Sequence, residues 1–146
     1  MSSGRHNIQP TALHRRALGG RVLYSHVVVV EEGVRIYIAG QLARDGAGNI
    51  VGKSDMAAQI EQVGKNLEAC LSAAGARLQD LVRTVTYTTD IDEFFRHSEM
   101  RMRYFGPGMP TSTTVEVRRL SHPDFMVEVE GEAVIELDQY TGRIIT

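Results

Sequence analysis

The chain has 146 residues, 42% hydrophobic and 23% charged, and a net charge of −2. That size suits one domain with a sizeable core, of ordinary globular composition. No apolar run approaches the ~20 residues of a membrane span, no signal-peptide core opens the chain, and the acidic balance offers nucleic acid no global attraction.

Residues 1–19 show no sustained period and read as a flexible N-terminal arm, with a short helix expected at 11–18. Strands are expected at 22–30 and 34–40, joined by the turn Glu31-Glu32-Gly33. After the loop at 45–49, Ser54 or Asp55 caps a helix. In it Met56, Ile60, Val63, Leu67, Leu71 and Ala74 recur every three or four residues. Gly75 ends that helix. Its Cys70 is the one cysteine of the chain, which excludes an internal disulfide and points to a reducing, cytoplasmic setting. Within an amphipathic helix it reads as a buried, inert thiol. A third strand covers 81–88. Asp90 or Asp92 caps a second helix running to Phe105 and closed by Gly106-Pro107-Gly108. Phe94, Met102 and Phe105 line its inner stripe, with Arg96, Arg101 and Arg103 mainly outside. From 138 to 146 the chain reads as a polar C-terminal tail.

The most informative stretch joins the last two strands. Residues 109–120 and 126–134 both alternate apolar and polar side chains. In the first run Val115 and Val117 oppose Ser112, Thr114, Glu116 and Arg118. In the second, Val127, Val129, Ala133 and Ile135 oppose Glu128, Glu130, Glu132 and Glu136. A face of acids and hydroxyls requires water, a cleft or another subunit beside it. The order ββαβαββ describes an α+β fold, a single mixed sheet with two helices on its apolar face.

The run Met109-Pro-Thr-Ser-Thr-Thr-Val-Glu-Val-Arg-Arg-Leu120, followed by an apolar-Glu-apolar-Glu strand, resembles the reactive intermediate deaminases of the RidA/YjgF family. Ile36-Tyr-Ile-Ala-Gly-Gln41 resembles that family's first hairpin, 59–75 its first helix, and 81–91 the strand and turn before its second. The resemblance covers residues 20–137. It implies the chorismate-mutase-like RidA fold closed into a homotrimeric barrel, with clefts between neighbouring subunits. It also implies hydrolysis of enamines or imines such as 2-aminoacrylate, with a small molecule and sister subunits as the only partners. No cofactor, metal, nucleic acid or membrane is called for.

Carried over by position, the resemblance makes Glu128 the catalytic carboxylate that places water. It assigns substrate binding to Tyr24, Ala39, Gly40, Ser98, Ser112 and Thr114. The match is partial: Ala39 replaces the family's serine, Ser98 its asparagine, Thr114 its cysteine and Ser112 its carboxylate-clamping arginine. A serine cannot replace a permanently charged bidentate fork. Efficient turnover of 2-aminoacrylate is therefore not expected. Arg118 shares the strand face of Ser112 but lies about 20 Å along it, and Arg119 points off that row. Arg101 and Arg103 of the second helix are the less constrained sources of charge.

Each candidate has a plain structural alternative. Glu128 also reads as a solvated channel carboxylate, Tyr24 as a packing tyrosine, and Ser112 and Thr114 as ordinary strand residues. The five histidines show no metal-ligand spacing. Three functional readings follow: an enamine/imine deaminase acting on something other than 2-aminoacrylate, a non-catalytic metabolite-binding trimer of the same fold, and a ribonuclease or translation inhibitor. Against the third stand the acidic face and the lack of a histidine pair for phosphodiester cleavage.

Overall fold

The computed structural model describes residues 4–18 and 20–142; positions 1–3 and 143–146, at the ends of the expected arm and tail, lie outside them, as does position 19. Four short strands come first: β1 (His6–Ile8), β2 (Ala17–Leu18), β3 (Arg21–Val22) and β4 (Val27–Val29). Then follow β5 (Val34–Gln41), helix α1 (Met56–Ala73), β6 (Leu81–Thr88), helices α2 (Ile91–Arg96) and α3 (Ser98–Phe105), β7 (Thr111–Glu116) and β8 (Val127–Ile135). The last four strands form one mixed sheet in the order β5-β8-β6-β7. β8 pairs antiparallel with both neighbours, and β6 pairs parallel with the edge strand β7.

Asp55 starts α1 by accepting the Ala58 amide N–H at 3.1 Å, which satisfies one of the donors a helix start leaves open. The stripe of Ile60, Val63, Leu67 and Leu71 is fully buried against Val127, Val129, Ala133 and Ile135 of β8. Each such side chain contributes about 1.5–3 kcal/mol of hydrophobic stabilisation. Two departures from an apolar stripe have clear causes. Gln59 is buried, yet its amide N donates to the carbonyls of Gly52 and Asp124 and its oxygen accepts the Met126 N–H. At Gly64 a Cβ would fall on the Tyr104 ring, so glycine is what lets α3 lie against α1. Cys70 is half-buried and burial pushes its thiol pKa up.

The α+β class and the mixed sheet agree with the sequence pattern; several local expectations are corrected. The expected strand at 22–30 splits into β3 and β4, and neither joins the main sheet. β4 pairs instead with β1. The break falls at Ser25, whose hydroxyl donates to the Met109 carbonyl at 2.6 Å while its N–H donates to Pro110. The expected helix at 11–18 is absent: a turn at 11–13 leads to β2, paired with β3. Over its described residues the arm is tied down, because the Arg5 guanidinium donates to the carbonyls of Gln79, Leu81 and Gly108. The expected second helix is two, α2 and α3, interrupted at His97 with φ −99° and ψ 52°. Among the described residues no helix is long and apolar enough to cross a membrane.

Candidate functional site

On β8, Glu128, Glu130 and Glu132 lie on the face away from α1, where the register sets them beside Tyr87, Val85 and Arg83 of β6. Two of these acids have partners. Glu132 pairs with Arg83 at 3.4 Å, and Glu130 accepts the Tyr87 hydroxyl at 2.5 Å. That hydrogen bond is the main reason the Tyr87 pKa is raised. Glu128 has no partner among the described residues. Its carboxyl is held above the ordinary glutamate range, first by burial and then by the neighbouring Glu130 charge. Gly40, at the bulge of β5, makes room for it: a Cβ there would overlap the Glu128 carboxylate. Ala39 is exposed on the same edge.

Ser112 and Thr114 are elsewhere. The parallel register places them beside Thr84 and Thr86, and Thr86 stands beside Val129, so these hydroxyls share the helix-covered face. The expectation that they stand in one row with the acids of β8 is corrected. Alternation within a strand fixes which residues oppose one another, but neighbouring strands decide which side faces the helices. The same register turns Val115 outward, where it is 39% exposed.

Ser112 and Thr114 border a cleft of about 380 Å³ with Tyr24, Phe95, Arg16 and Arg101. It continues into a recess of about 40 Å³ reaching Thr86 and Phe94. Tyr24 accepts the backbone N–H of Arg16 on its hydroxyl at 3.2 Å and meets His26 edge to face. The Arg101 guanidinium stacks 4.7 Å from the ring centres of both Phe94 and Phe95. Its Nε and Nη1 are shielded from solvent without a hydrogen-bond partner. Burial, followed by the like charge of Arg16, pushes its pKa down to about 10, which leaves it cationic at neutral pH.

Six of the seven candidates thus fall into two groups on opposite faces of one sheet. Glu128, Gly40 and Ala39 form the first; Tyr24, Ser112 and Thr114 form the second. Ser98 opens α3, one turn before Arg101, and borders neither group. Arg101 is the residue the sequence pattern places wrongly, since it turns inward rather than out. Its signal was the Phe94-Phe95 pair one to two turns earlier, two aromatic faces on which a guanidinium stacks. A further cavity of about 520 Å³ lies between β4 and the sheet beside Arg35, Tyr37, Arg83 and Glu132, away from all seven.

Comparison with known proteins follows this geometry. The family described as Endoribonuclease L-PSP matches residues 15–135. A RutC family protein of Pyrococcus horikoshii is 35% identical over 107 residues, 73% of this chain and 84% of the relative. The human 2-iminobutanoate/2-iminopropanoate deaminase is 29% identical over 111 residues, 76% of this chain and 79% of the relative. The crystal structure of YyfB of Yersinia pestis, described as a protein of unknown function of the conserved Rid family, superposes with a TM-score of 0.78 at 29% identity. It spans 90% of this chain and 99% of its own.

Proposed function

From the premise that this chain belongs to the endoribonuclease L-PSP family, the RidA/YjgF proteins, we propose that it is a hydrolytic deaminase of an unstable enamine or imine other than 2-aminoacrylate. The single observation that carries this reading is Glu128, an unpaired carboxylate with a raised pKa, given room by Gly40. A carboxylate shifted upward in this way is a stronger proton acceptor than an ordinary glutamate, which suits general acid–base work. Glu128 accepts a proton from water as its oxygen bonds to the iminium carbon. It then returns that proton to the nitrogen and takes the proton of the new hydroxyl as the C–N bond breaks, which leaves a carbonyl compound and ammonia; the ammonia carries the last proton away as ammonium and Glu128 is ionised again. The human relative, named as an iminobutanoate and iminopropanoate deaminase, supports this reaction class.

Because the two groups of candidates face opposite ways, the complete site is formed between copies. The Glu128 side of one subunit meets the Tyr24, Ser112 and Thr114 side of its neighbour in a homotrimer. Tyr37, 68% exposed on the acidic face, supplies apolar surface for that contact. The row of Glu128, Glu130 and Glu132 makes this face a poor surface for a phosphodiester backbone, which weighs against the ribonuclease reading. A metabolite-binding trimer without turnover is the second reading, favoured by the serine at position 112.

The test generates imines in situ from amino acids with an amino-acid oxidase and follows their loss against semicarbazide trapping. Accelerated hydrolysis by the wild type, reduced ~10²–10⁴-fold in Glu128→Gln, supports the deaminase. Binding without acceleration of any imine supports the second reading.

A further inference from the structure

Among the described residues, the border of the cleft beside Ser112 includes the guanidinium groups of Arg16 and Arg101 and no carboxylate. Arg16 and Arg101 both approach Phe95, with Arg16 4.4 Å and Arg101 4.7 Å from the ring centre. Two guanidinium groups on one ring repel each other, and an aromatic face compensates only part of that. At the same time Arg101 leaves Nε and Nη1 shielded and unbonded. A shielded charged donor without an acceptor is costly, and proteins ordinarily pair it. Nothing in the described chain supplies the acceptor.

We propose that Arg101 is the anion-binding residue of this cleft, receiving the carboxylate of an apolar monocarboxylate ligand from helix α3, across from Ser112. The ligand class follows from the walls. The shielded, unbonded donors of Arg101 match one carboxylate while Arg16 is exposed to solvent, Ser112 and Thr114 offer hydroxyls, and Leu23 and Phe95 offer apolar surface. A cleft of about 380 Å³ exceeds the needs of a three-carbon imino acid and suits one with a larger side chain. The proposal rests on the deaminase reading only for the identity of the physiological ligand. Position 112 of strand β7 carries a serine, and the guanidinium at this cleft comes from helix α3.

Benzoate and benzamide, equal in shape and different in charge, are the probes. In the wild-type protein, isotope-edited NMR titration should show benzoate binding at least about tenfold more tightly than benzamide. The shifts should centre on the Arg101 Nε–H and the amides of Ser112 and Thr114. Arg101→Gln should reduce benzoate to the benzamide level, and Arg101→Lys, which keeps the charge and the stem, should fall between. Equal binding of the two probes, benzoate shifts located elsewhere, or undiminished benzoate binding in Arg101→Gln would overturn the proposal. The wild-type titration decides it even where a variant folds poorly. Benzoate selectivity at Arg101 without imine turnover removes the deaminase reading and leaves this site standing. Imine turnover without that selectivity does the reverse.

Discussion

Replacing Gly40 by alanine should uncouple activity from stability. Gly40 has no positive φ, so the backbone accepts alanine without strain. Glycine in a strand costs roughly 0.5–1 kcal/mol relative to alanine, so the fold should be unchanged or slightly firmer. The new Cβ would lie 2.9 Å from the Glu128 carboxyl carbon and 3.0 Å from its Cγ, and closer still to Oε1, where ordinary contact begins at 3.4 Å. The carboxyl carbon must therefore retreat by 3.4 − 2.9, or 0.5 Å, and the oxygen by more. It is the end of a flexible side chain, so it can swing aside at small cost. A misplacement near 1 Å can cost about 10²-fold in rate. Turnover of in-situ imines should fall by about that factor while the midpoint of thermal unfolding stays put. Adding Glu128→Gln should cost little more, because both changes disable the same group. Wild-type kcat/KM in Gly40→Ala would refute the assignment of this space to a working carboxylate.

Glu128 should act as base only when ionised, so the acid limb of kcat/KM against pH should lie above the ordinary glutamate range; Glu130→Gln should move it down without bringing it fully to that range, since burial is the larger cause. The same raised pKa means the folded state holds this proton longer than the unfolded one, so the Glu128 contribution to stability is lost as pH rises through the folded value; Glu128→Gln should flatten that segment of a melting-point–pH curve. Gly64→Ala gains about 1 kcal/mol of helix propensity but drives a Cβ into the Tyr104 ring, which is 1% exposed and has nowhere to go. A net loss of about 1–2 kcal/mol should lower the melting point by about 3–8 °C, and an unchanged midpoint would contradict the packing described. Light scattering behind a sizing column should give three times 16.2 kDa, and a stable monomer would count against an intersubunit site.

The sequence pattern makes some elements plain and conceals others for physical reasons. Strand β6 spans the residues alternation predicts, and Asp55, one of two expected caps, starts α1. On β8 the apolar side is the predicted one because it is central, with α1 on one face and none on the other, so alternation and burial coincide. The edge strand β7 has neighbours on one side only, and its threonines suit either face; Ser112 and Thr114 were therefore assignable only through their parallel partners on β6. In β6 itself Thr84, Thr86 and Thr88 are buried beneath the helices while Tyr87 faces outward. The break at His97 has no glycine or proline to mark it. β4 takes β1 as its partner through contacts distant in sequence, Arg5 to Gln79 and Gly108 among them, which no local window contains. Of the candidate positions, the outward face of Glu128 was legible from alternation on β8, whereas its contact with Gly40 and the inward turn of Arg101 depend on tertiary packing.

The proposed site, shared between the opposite faces of neighbouring sheets, would make catalysis a property of the assembly rather than of one chain. Dilution below the dissociation constant of the assembly should then abolish turnover while each chain remains folded. Two inactive variants should also rescue each other. When Glu128→Gln and Arg101→Gln subunits are dissociated, mixed equally and reassembled, each site draws its acid from one chain and its guanidinium from the next. About a quarter of the sites then receive both intact halves by chance, as closed cyclic symmetry requires. Coexpressed alleles of such a protein would complement one another inside a single cell, because a copy damaged in one half still contributes its other half to the adjacent site.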